Sequence, residues 1–172
     1  MKGGVNAMDF EEVYRTYFND VYLYVRRLSG DEHIAEEITS QTFFKAITSI
    51  NKFRGDCEIR VWLCQIAKNC YYSYIKKNKH NTNLENIETL NLVNTDINID
   101  EEIIKKDQTM QIQKILHTIP DPYREVFMWR VFAELNFKQI GQIFNKSENW
   151  ACVTYHRSKN MIKDKLEENN NE

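Results

Sequence analysis

Helix-breaking residues are scarce in this chain, and that scarcity limits the folds open to it more than any other feature. Only two of its 172 residues are proline, Pro120 and Pro122, and only five are glycine. Because these residue types interrupt helices and mark turns, a chain that nearly lacks them favours long helices joined by short connections. The sequence therefore predicts an all-α fold.

One stretch between the helical patterns differs from the rest. Residues 78–100 read NKHNTNLENIETLNLVNTDINID and contain no Phe, Trp or Tyr. Residues 81–107 carry seven acidic and two basic side chains, whereas the segments on either side are mildly basic. This composition, without a long hydrophobic period, is typical of a linker. We therefore predict two small helical domains, at residues 8–78 and 106–168, joined by an acidic, Asn-rich linker at 79–105.

Apolar residues recurring at steps of three and four predict the helices within each domain. In the first domain, Asp31 is a candidate N-cap between the first two helices. In the second, Asp121-Pro122 has the pattern of an N-cap followed by proline at the first helical position. The predicted helices cover about 10–28, 32–50 and 58–77 in the first domain and about 107–118, 122–132, 137–144 and 148–166 in the second.

The stretch FKQIGQIFNKSENWACVTYHRSK (137–159) has the pattern of a helix-turn-helix. Asn136 and Gln139 form a predicted capping box for its first helix. Gly141 is the small residue needed where two helices touch, and Asn145 tolerates the left-handed backbone that the turn requires. Ser147 or Glu148 is the candidate cap of the second helix.

Helical spacing predicts two opposite faces on that second helix. Small and apolar residues fall on the inward face, and polar and basic residues fall on the other, a mixture suited to the major groove of DNA. The competing interpretation is an ordinary solvated helix face. The inward set is Ala151, Thr154, Tyr155, Ser158 and Ile162; the outward set is Asn149, Cys152, Val153, His156, Asn160 and Lys163, flanked by Trp150, Arg157 and Lys159.

Both halves of the chain also resemble one protein family. AEEITSQTFFKAITSINKFRGD followed by IRVWLCQIAKN is similar to the second conserved region of the extracytoplasmic-function (ECF) sigma factors, small bacterial specificity subunits of RNA polymerase. IPDPYREVFMWRVFAELNFKQIGQIFNKSENWACVTYHRSK is similar to their fourth region. The two blocks occur in the family's order and separation, so the resemblance covers nearly the whole chain.

The resemblance implies a role for the AEEITSQTFFKA segment. In this family that helix docks on the clamp helices of the polymerase β′ subunit. A helix face with carboxylates, amides and an aromatic edge suits such a partner. Core packing is the competing interpretation for Phe43, and a solvated surface is the competing one for the two glutamates. The matching positions are Glu36, Glu37, Thr39, Ser40, Gln41 and Phe43.

It also implies that residues 53–62 form the loop that receives an extruded base of the −10 element, with the next helix along the non-template strand. Such binding uses cations and aromatic rings. Trp62 and Tyr74 lie on the apolar face of the helix predicted at about 58–77, so packing in the core is the competing interpretation for both. Tyr71 is a further aromatic candidate for stacking on a base. The predicted −10 residues are Arg54, Arg60, Trp62, Lys68, Asn69, Tyr72, Lys76 and Lys77.

The helix-turn-helix would read the −35 element as a duplex. Cys152 stands where relatives often carry Arg, and His156 where they often carry an aromatic. A missing arginine removes a bidentate guanine contact, which discriminates by about 1–3 kcal/mol. The predicted −35 residues are Ser147, Asn149, Trp150, Cys152, Val153, His156, Arg157 and Lys159.

As partners, the resemblance implies core RNA polymerase (β′ clamp helices and β flap), promoter DNA and a cognate anti-sigma factor. The sequence has no apolar run of about 18 residues, the length that would predict a membrane-spanning helix, so we expect a cytoplasmic protein. We also expect it to be a monomer when free. We expect no catalytic residue, metal or cofactor. The four cysteines lack CxxC spacing and have the pattern of buried or incidental thiols.

Three other functions can be compared with the sequence, and the last of them lacks the motifs that it would need. A stand-alone helix-turn-helix regulator would explain the second domain but leave AEEITSQTFFKA and NKFRGD without a role. The toxin-gene-specific sigma group shares the ECF architecture and is a nearer variant. An enzyme using Cys57 or Cys64 with His33 or His80 would need a nucleophile motif, a phosphate loop or metal spacing, and none occurs in the sequence.

Overall fold

The chain is built from helices, as a computed structural model of the protein shows. It describes residues 9–81 and 111–170, and every regular element in these ranges is helical, which confirms the predicted all-α class. The predicted linker lies almost wholly outside these ranges, as does the start of the helix predicted at 107–118. The helices are α1 (Phe10–Ser29), α2 (Glu32–Ser49), a short 3-10 helix (Ile50–Lys52), α3 (Ile59–Asn81), α4 (111–118), α5 (Tyr123–Val131), α6 (Phe137–Phe144) and α7 (Glu148–Asn170).

Helices α1, α2 and α3 form the N-terminal bundle. Two adjacent residues place the turn between α1 and α2. Gly30 ends α1 in the left-handed region, with φ of 71°, where a side chain would be strained. Asp31 then caps α2, because its Oδ1 accepts a hydrogen bond from the backbone nitrogen of Ile34 at 2.9 Å. The largest fully buried apolar side chains of this bundle are Tyr24, Ile38, Leu63, Val21, Val25 and Val61.

Helices α6 and α7 form the predicted helix-turn-helix. The capping box is present: the Asn136 side chain accepts from the backbone nitrogen of Gln139 at 2.8 Å, and the Gln139 side chain accepts from that of Asn136 at 2.9 Å. Asn145 adopts the left-handed conformation, with φ of 53° and ψ of 45°. A β-carbon on Gly141 would lie 2.7 Å from the carbonyl oxygen of Lys146. The close approach of the two helices therefore requires glycine at this position.

The structure corrects three details of the predicted helices. The N-cap of α5 is Pro122 and no side chain caps it, because the Asp121 carboxylate instead accepts from Arg124 Nη2 at 2.7 Å. Helices α3 and α7 end at Asn81 and Asn170, beyond the predicted ends. Both extensions follow from polar residues that favour helix or tolerate it, with no proline or glycine to stop them.

The C-terminal group, α4 to α7, packs directly against the N-terminal bundle. At the centre of this contact, the rings of Tyr24 in α1 and Trp129 in α5 stack with centroids 5.5 Å apart and planes 14° from parallel. Both side chains are about 1% exposed. Sequence periodicity could not predict this contact, since it shows which face of each helix is apolar but not which helices meet.

Candidate nucleic-acid interface

Helix α7 presents the polar face predicted to meet duplex DNA. Asn149, Val153, His156, Arg157 and Lys159 are exposed along it. The opposite face holds the helix in place, because Ala151, Thr154, Ser158 and Ile162 are buried. The helix therefore offers amide, imidazole, guanidinium and ammonium groups on one side, and these are donors suited to base edges and phosphates.

Aromatic packing fixes the orientation of α7 relative to α5 and α6. Tyr155, predicted on the inward face, is half-buried, and its ring lies 6.1 Å from that of Phe127 and 5.6 Å from that of Phe137. Its outer side supports a cation, since Lys159 Nζ is 5.7 Å from the ring centre. Trp150 packs on Phe144 at 5.3 Å between centroids. These contacts give the recognition helix a defined orientation.

Ser147 opens that helix. Its hydroxyl oxygen accepts a hydrogen bond from the backbone nitrogen of Trp150 at 3.1 Å. Ser147 is therefore a cap as well as an exposed polar residue, and the sequence had left Ser147 and Glu148 as equal candidates for capping. Trp150 and Cys152 are half-buried, so each exposes only part of its side chain beside the polar face.

A second candidate surface consists of the loop before α3 and the outer side of α3. Arg54 is exposed in the loop, and the rings of Phe53 and Trp62 lie 5.1 Å apart beneath it. Asn69, Lys76 and Lys77 are exposed further along the helix. A cavity of about 400 Å³ opens beside the loop, with Phe53, Arg54 and Trp62 in its wall. The space and the residue types suit a base held against an aromatic wall.

Three other predicted −10 residues are half-buried, because the C-terminal group covers them. Arg60 donates to the backbone oxygen of Ala133, Lys68 pairs with Glu125, and Tyr72 lies against Met128. Tyr71, another ring candidate, is buried, and burial raises the pKa of its hydroxyl to about 12. It is therefore not available on the surface.

Helix α2 divides the predicted polymerase-binding residues between its two faces. Glu36, Glu37, Ser40 and Gln41 are exposed, and Gln41 donates to Glu37 at 3.1 Å. Thr39 and Phe43 are buried, at 0% and 4% exposure. The ring of Phe43 packs among those of Phe10, Tyr14 and Phe18. Thr39 and Phe43 thus position the helix from inside.

The exposed face of α2 also carries two apolar residues that the sequence analysis did not select. Phe44 is 72% exposed and Ile47 is 49% exposed. Phe44 lies four residues after Ser40 and three after Gln41, so these side chains share a helix face. The spacing was visible in the sequence, but it could not show which of two adjacent phenylalanines faces outward.

The cysteines behave as separate thiols. All four are free, with Cys64 and Cys70 buried and Cys57 and Cys152 half-buried. Among residues 9–81 and 111–170, no group of three or more His, Cys, Asp or Glu side chains is arranged to hold a metal ion. Burial, together with the carboxylates of Asp56 and Glu58, raises the pKa of the Cys57 thiol.

This arrangement predicts an order of alkylation in the folded protein. Burial raises the pKa of Cys64 to about 12, although Arg60 opposes the shift. The thiolate is the reactive form, so the raised pKa protects Cys64, and burial keeps the reagent from both Cys64 and Cys70; iodoacetamide should therefore leave both unlabelled. Labelling of Cys57 should keep accelerating as the pH rises past the usual thiol pKa. Peptide mass spectrometry measures this, with urea-unfolded protein as the control; labelling of Cys64 as fast as that of Cys57 would contradict it.

Comparisons with known proteins identify sigma factors that are similar to this chain. Residues 13–81 match the family model of sigma-70 region 2. The ECF sigma factor SigM of Bacillus subtilis is 27% identical over 161 residues, covering 91% of this chain and 94% of SigM. SigW of the same organism is 25% identical, covering 96% of this chain and 91% of SigW. The alignments span both helical groups, which the stand-alone regulator alternative does not explain.

Solved structures show the same fold. CnrH, solved in complex with the cytosolic domain of CnrY, superimposes with a TM-score of 0.63 at 13% identity, covering 92% of this chain and 87% of CnrH. The sigma factor RpoE of Bartonella quintana, solved with the anti-sigma factor NepR, gives 0.59 at 16% identity, covering 92% and 97%.

The helices of residues 9–81 and 111–170 include none that is long and apolar enough to cross a membrane. The matched region 2 model and the nearly full-length sigma-factor relatives place this chain among alternative sigma factors, which bind core RNA polymerase and direct transcription to particular promoters. Over nearly its whole length the chain is similar to the extracytoplasmic-function sigma factors of RNA polymerase.

Proposed function

We propose that this sigma factor divides promoter recognition and polymerase binding among three surfaces. The exposed face of α7 reads the −35 element, the loop before α3 and the outer side of α3 bind the −10 element, and the exposed face of α2 docks on the polymerase clamp. The predicted domains at 8–78 and 106–168 would each carry part of this work. Near-neutral net charge fits such a division, because the polymerase holds two modest interfaces together.

The observation that supports the proposal most strongly is the helix-turn-helix of α6 and α7. Its turn has left-handed Asn145 and close-packed Gly141, and its second helix exposes His156, Arg157 and Lys159 on one side. Arg157 suits a guanine or phosphate contact, and Lys159 suits phosphate. Because Cys152 is small and half-buried, we expect base discrimination to rest on Asn149, His156 and Arg157.

The −10 surface is suited to a single strand. Exposed Arg54, Lys76 and Lys77 provide charge along the loop and α3, and the cavity beside Phe53 and Trp62 provides an aromatic wall for one unstacked base. Extruding a base costs a few kcal/mol, which stacking and cationic contacts offset. Arg60, Lys68 and Tyr72 would join this surface when the C-terminal group no longer covers them.

The polymerase surface centres on α2. We propose that Glu36, Glu37, Ser40 and Gln41 make the polar contacts and that Phe44 is the apolar anchor. Buried aromatic side chains surrounded by polar residues contribute most to interfaces of this kind. Thr39 and Phe43 act by holding the helix in place rather than by touching the partner.

We also propose a cognate anti-sigma factor as a partner, and the cytoplasm, where polymerase and promoter DNA are found, as the place of action. The two structural neighbours described above were each solved with a protein partner, and NepR is named as an anti-sigma factor. The exposed Phe44 and Ile47 give such a partner an apolar contact area on α2.

Co-elution with core RNA polymerase tests the proposal. The purified full chain is mixed with bacterial core polymerase at moderate salt, without DNA, and passed over a size-exclusion column. We expect a one-to-one complex that then initiates from ECF-type promoters. Separate elution of the chain, as a dimer able to bind duplex DNA, would contradict the proposal and favour a stand-alone regulator.

A further inference from the structure

Val153 is an apolar residue at the centre of a polar helix face. Its side chain is 40% exposed. Residues three and four positions away are its neighbours on the surface of α7, namely Asn149, Trp150, His156 and Arg157. Of these, Trp150 is half-buried and the other three are exposed. Val153 is thus surrounded by an amide, an imidazole and a guanidinium on the face that we assign to the −35 duplex.

The rotation of α7 about its own axis is fixed, and the direction of Val153 is fixed with it. Ala151 and Ser158 are fully buried, and Thr154 is 5% exposed. At 3.6 residues per turn, Ala151 and Ser158 lie about 160° and about 140° from Val153 around the helix. Turning the helix to bury Val153 would expose these residues. The valine therefore meets whatever group the duplex presents at the centre of the contact.

Valine at this position does not serve the helix or the core. It is β-branched, and such residues favour a helix less than alanine does. Its exposed side chain contributes little to the packing of α7 on α5 and α6. The same branching makes the side chain stiff, because one χ1 rotamer predominates in helices. A stiff side chain loses little conformational entropy when it contacts a ligand.

The major groove of DNA presents an apolar group that suits such a side chain. Thymine carries a C5-methyl group at its major-groove edge, whereas the other recognition groups there are hydrogen-bond donors and acceptors. An isopropyl group placed over a donor or acceptor removes water without replacing the lost hydrogen bond, which costs free energy. Val153 therefore favours a base pair with a thymine methyl and disfavours one that presents only polar groups.

We infer that Val153 reads a thymine methyl group in the −35 element, as a specificity-determining residue beside Asn149, His156 and Arg157. The inference rests on the proposed function, because it takes α7 as the helix that reads the duplex. Asn149 lies one turn earlier and suits adenine. We therefore expect A·T pairs beneath the first two turns of α7, where the recognition helix of a helix-turn-helix contacts base edges.

The test removes the methyl group from the DNA and shortens the side chain in the protein. The full chain is assembled with core RNA polymerase, and its preferred −35 element is selected from promoter duplexes that are randomised upstream of the −10 element. Each thymine of the selected element is then replaced, one at a time, by deoxyuridine, which lacks only the C5-methyl group. Competition electrophoresis measures the affinity of the assembled holoenzyme for each duplex.

We expect one deoxyuridine replacement to weaken binding by wild-type holoenzyme about fourfold, the effect of one buried methyl group. Val153→Ala should bind the thymine and deoxyuridine duplexes equally, and it should fold, because alanine favours the helix. Val131→Ala is the matched control. It removes the same group at a position of α5 that is 38% exposed, and it should keep the full fourfold difference.

Three results would overturn the inference: a selected element without thymine, an absence of any deoxyuridine effect in wild type, or an equal effect in Val153→Ala and the control. The last would show that another residue, or the shape of the DNA, senses the methyl group. Failure of the proposed function looks different. A wild-type chain that does not assemble with core polymerase, or that selects no upstream sequence, would refute that function and the inference with it.

Discussion

Replacing Gly141 by alanine should disable the helix-turn-helix. The new β-carbon would lie 2.7 Å from the Lys146 oxygen and 3.0 Å from the Ser147 oxygen. Both are backbone atoms, so α6 and α7 must move apart. Overpacking of this kind costs about 1–3 kcal/mol, and the upper end applies here because no flexible side chain can yield. We expect thermal unfolding of the C-terminal helices to begin about 10 °C lower.

The functional loss should be confined to DNA binding and should leave polymerase binding intact. Promoter-directed transcription should fall at least about tenfold, in line with a loss of more than 1.4 kcal/mol, while co-elution with core polymerase persists through α2. Gln142→Ala, at the next and exposed position of α6, is the control and should melt like wild type. A Gly141→Ala protein with wild-type melting and wild-type transcription would show that the close contact at the turn is not needed.

Replacing Phe44 by alanine should weaken polymerase binding without weakening the fold. The ring is 72% exposed, and exposed substitutions usually change stability by less than about 0.5 kcal/mol. As the anchor of an interface, an aromatic side chain contributes about 2 kcal/mol or more. We therefore expect the affinity for core polymerase to fall about 30-fold, measured by anisotropy of labelled protein titrated with core enzyme.

Two further substitutions in the same bundle distinguish the loss of an exposed apolar side chain from the loss of a buried one. Leu23→Ala removes another exposed apolar side chain, on α1, and should leave the affinity unchanged. Phe43→Ala empties a buried aromatic cluster and should destabilise the bundle by about 3–5 kcal/mol, so any loss of binding there accompanies unfolding. Wild-type affinity in Phe44→Ala would remove this residue from the polymerase surface.

Sequence reasoning worked best where the controlling interactions are local. The capping box of Asn136 and Gln139 joins residues three apart, and Asp31 caps α2 through Ile34, also three residues on. The left-handed turn at Asn145 depends on one residue type. Because caps, turns and helical periods are set within about four residues, they can be predicted from one sequence. The predicted N-cap of α5 was wrong, because the Asp121 carboxylate accepts a hydrogen bond from the Arg124 side chain instead of capping the helix.

The candidate surfaces were harder to predict, because the type of a residue does not determine whether its side chain faces solvent or the core. Thr39 and Phe43 match the family's motif yet point inward, and Phe44, which was not selected, points outward. A one-residue difference rotates a helical side chain by about 100°. Only the packing of α2 on α1 and α3 decides which of the two phenylalanines enters the core.

The amino-acid sequence by itself determined that the chain is helical, where most helices begin and end, and that α6 and α7 form a helix-turn-helix with a polar outer face. The tertiary structure alone decided that the C-terminal group lies on α3 and covers Arg60, Lys68 and Tyr72. The physical reason is separation along the chain: Arg60 and Ala133 are 73 residues apart, and Arg27 and Phe132 are 105 apart. Contacts at such separations depend on how whole helical faces fit together, which no local pattern encodes.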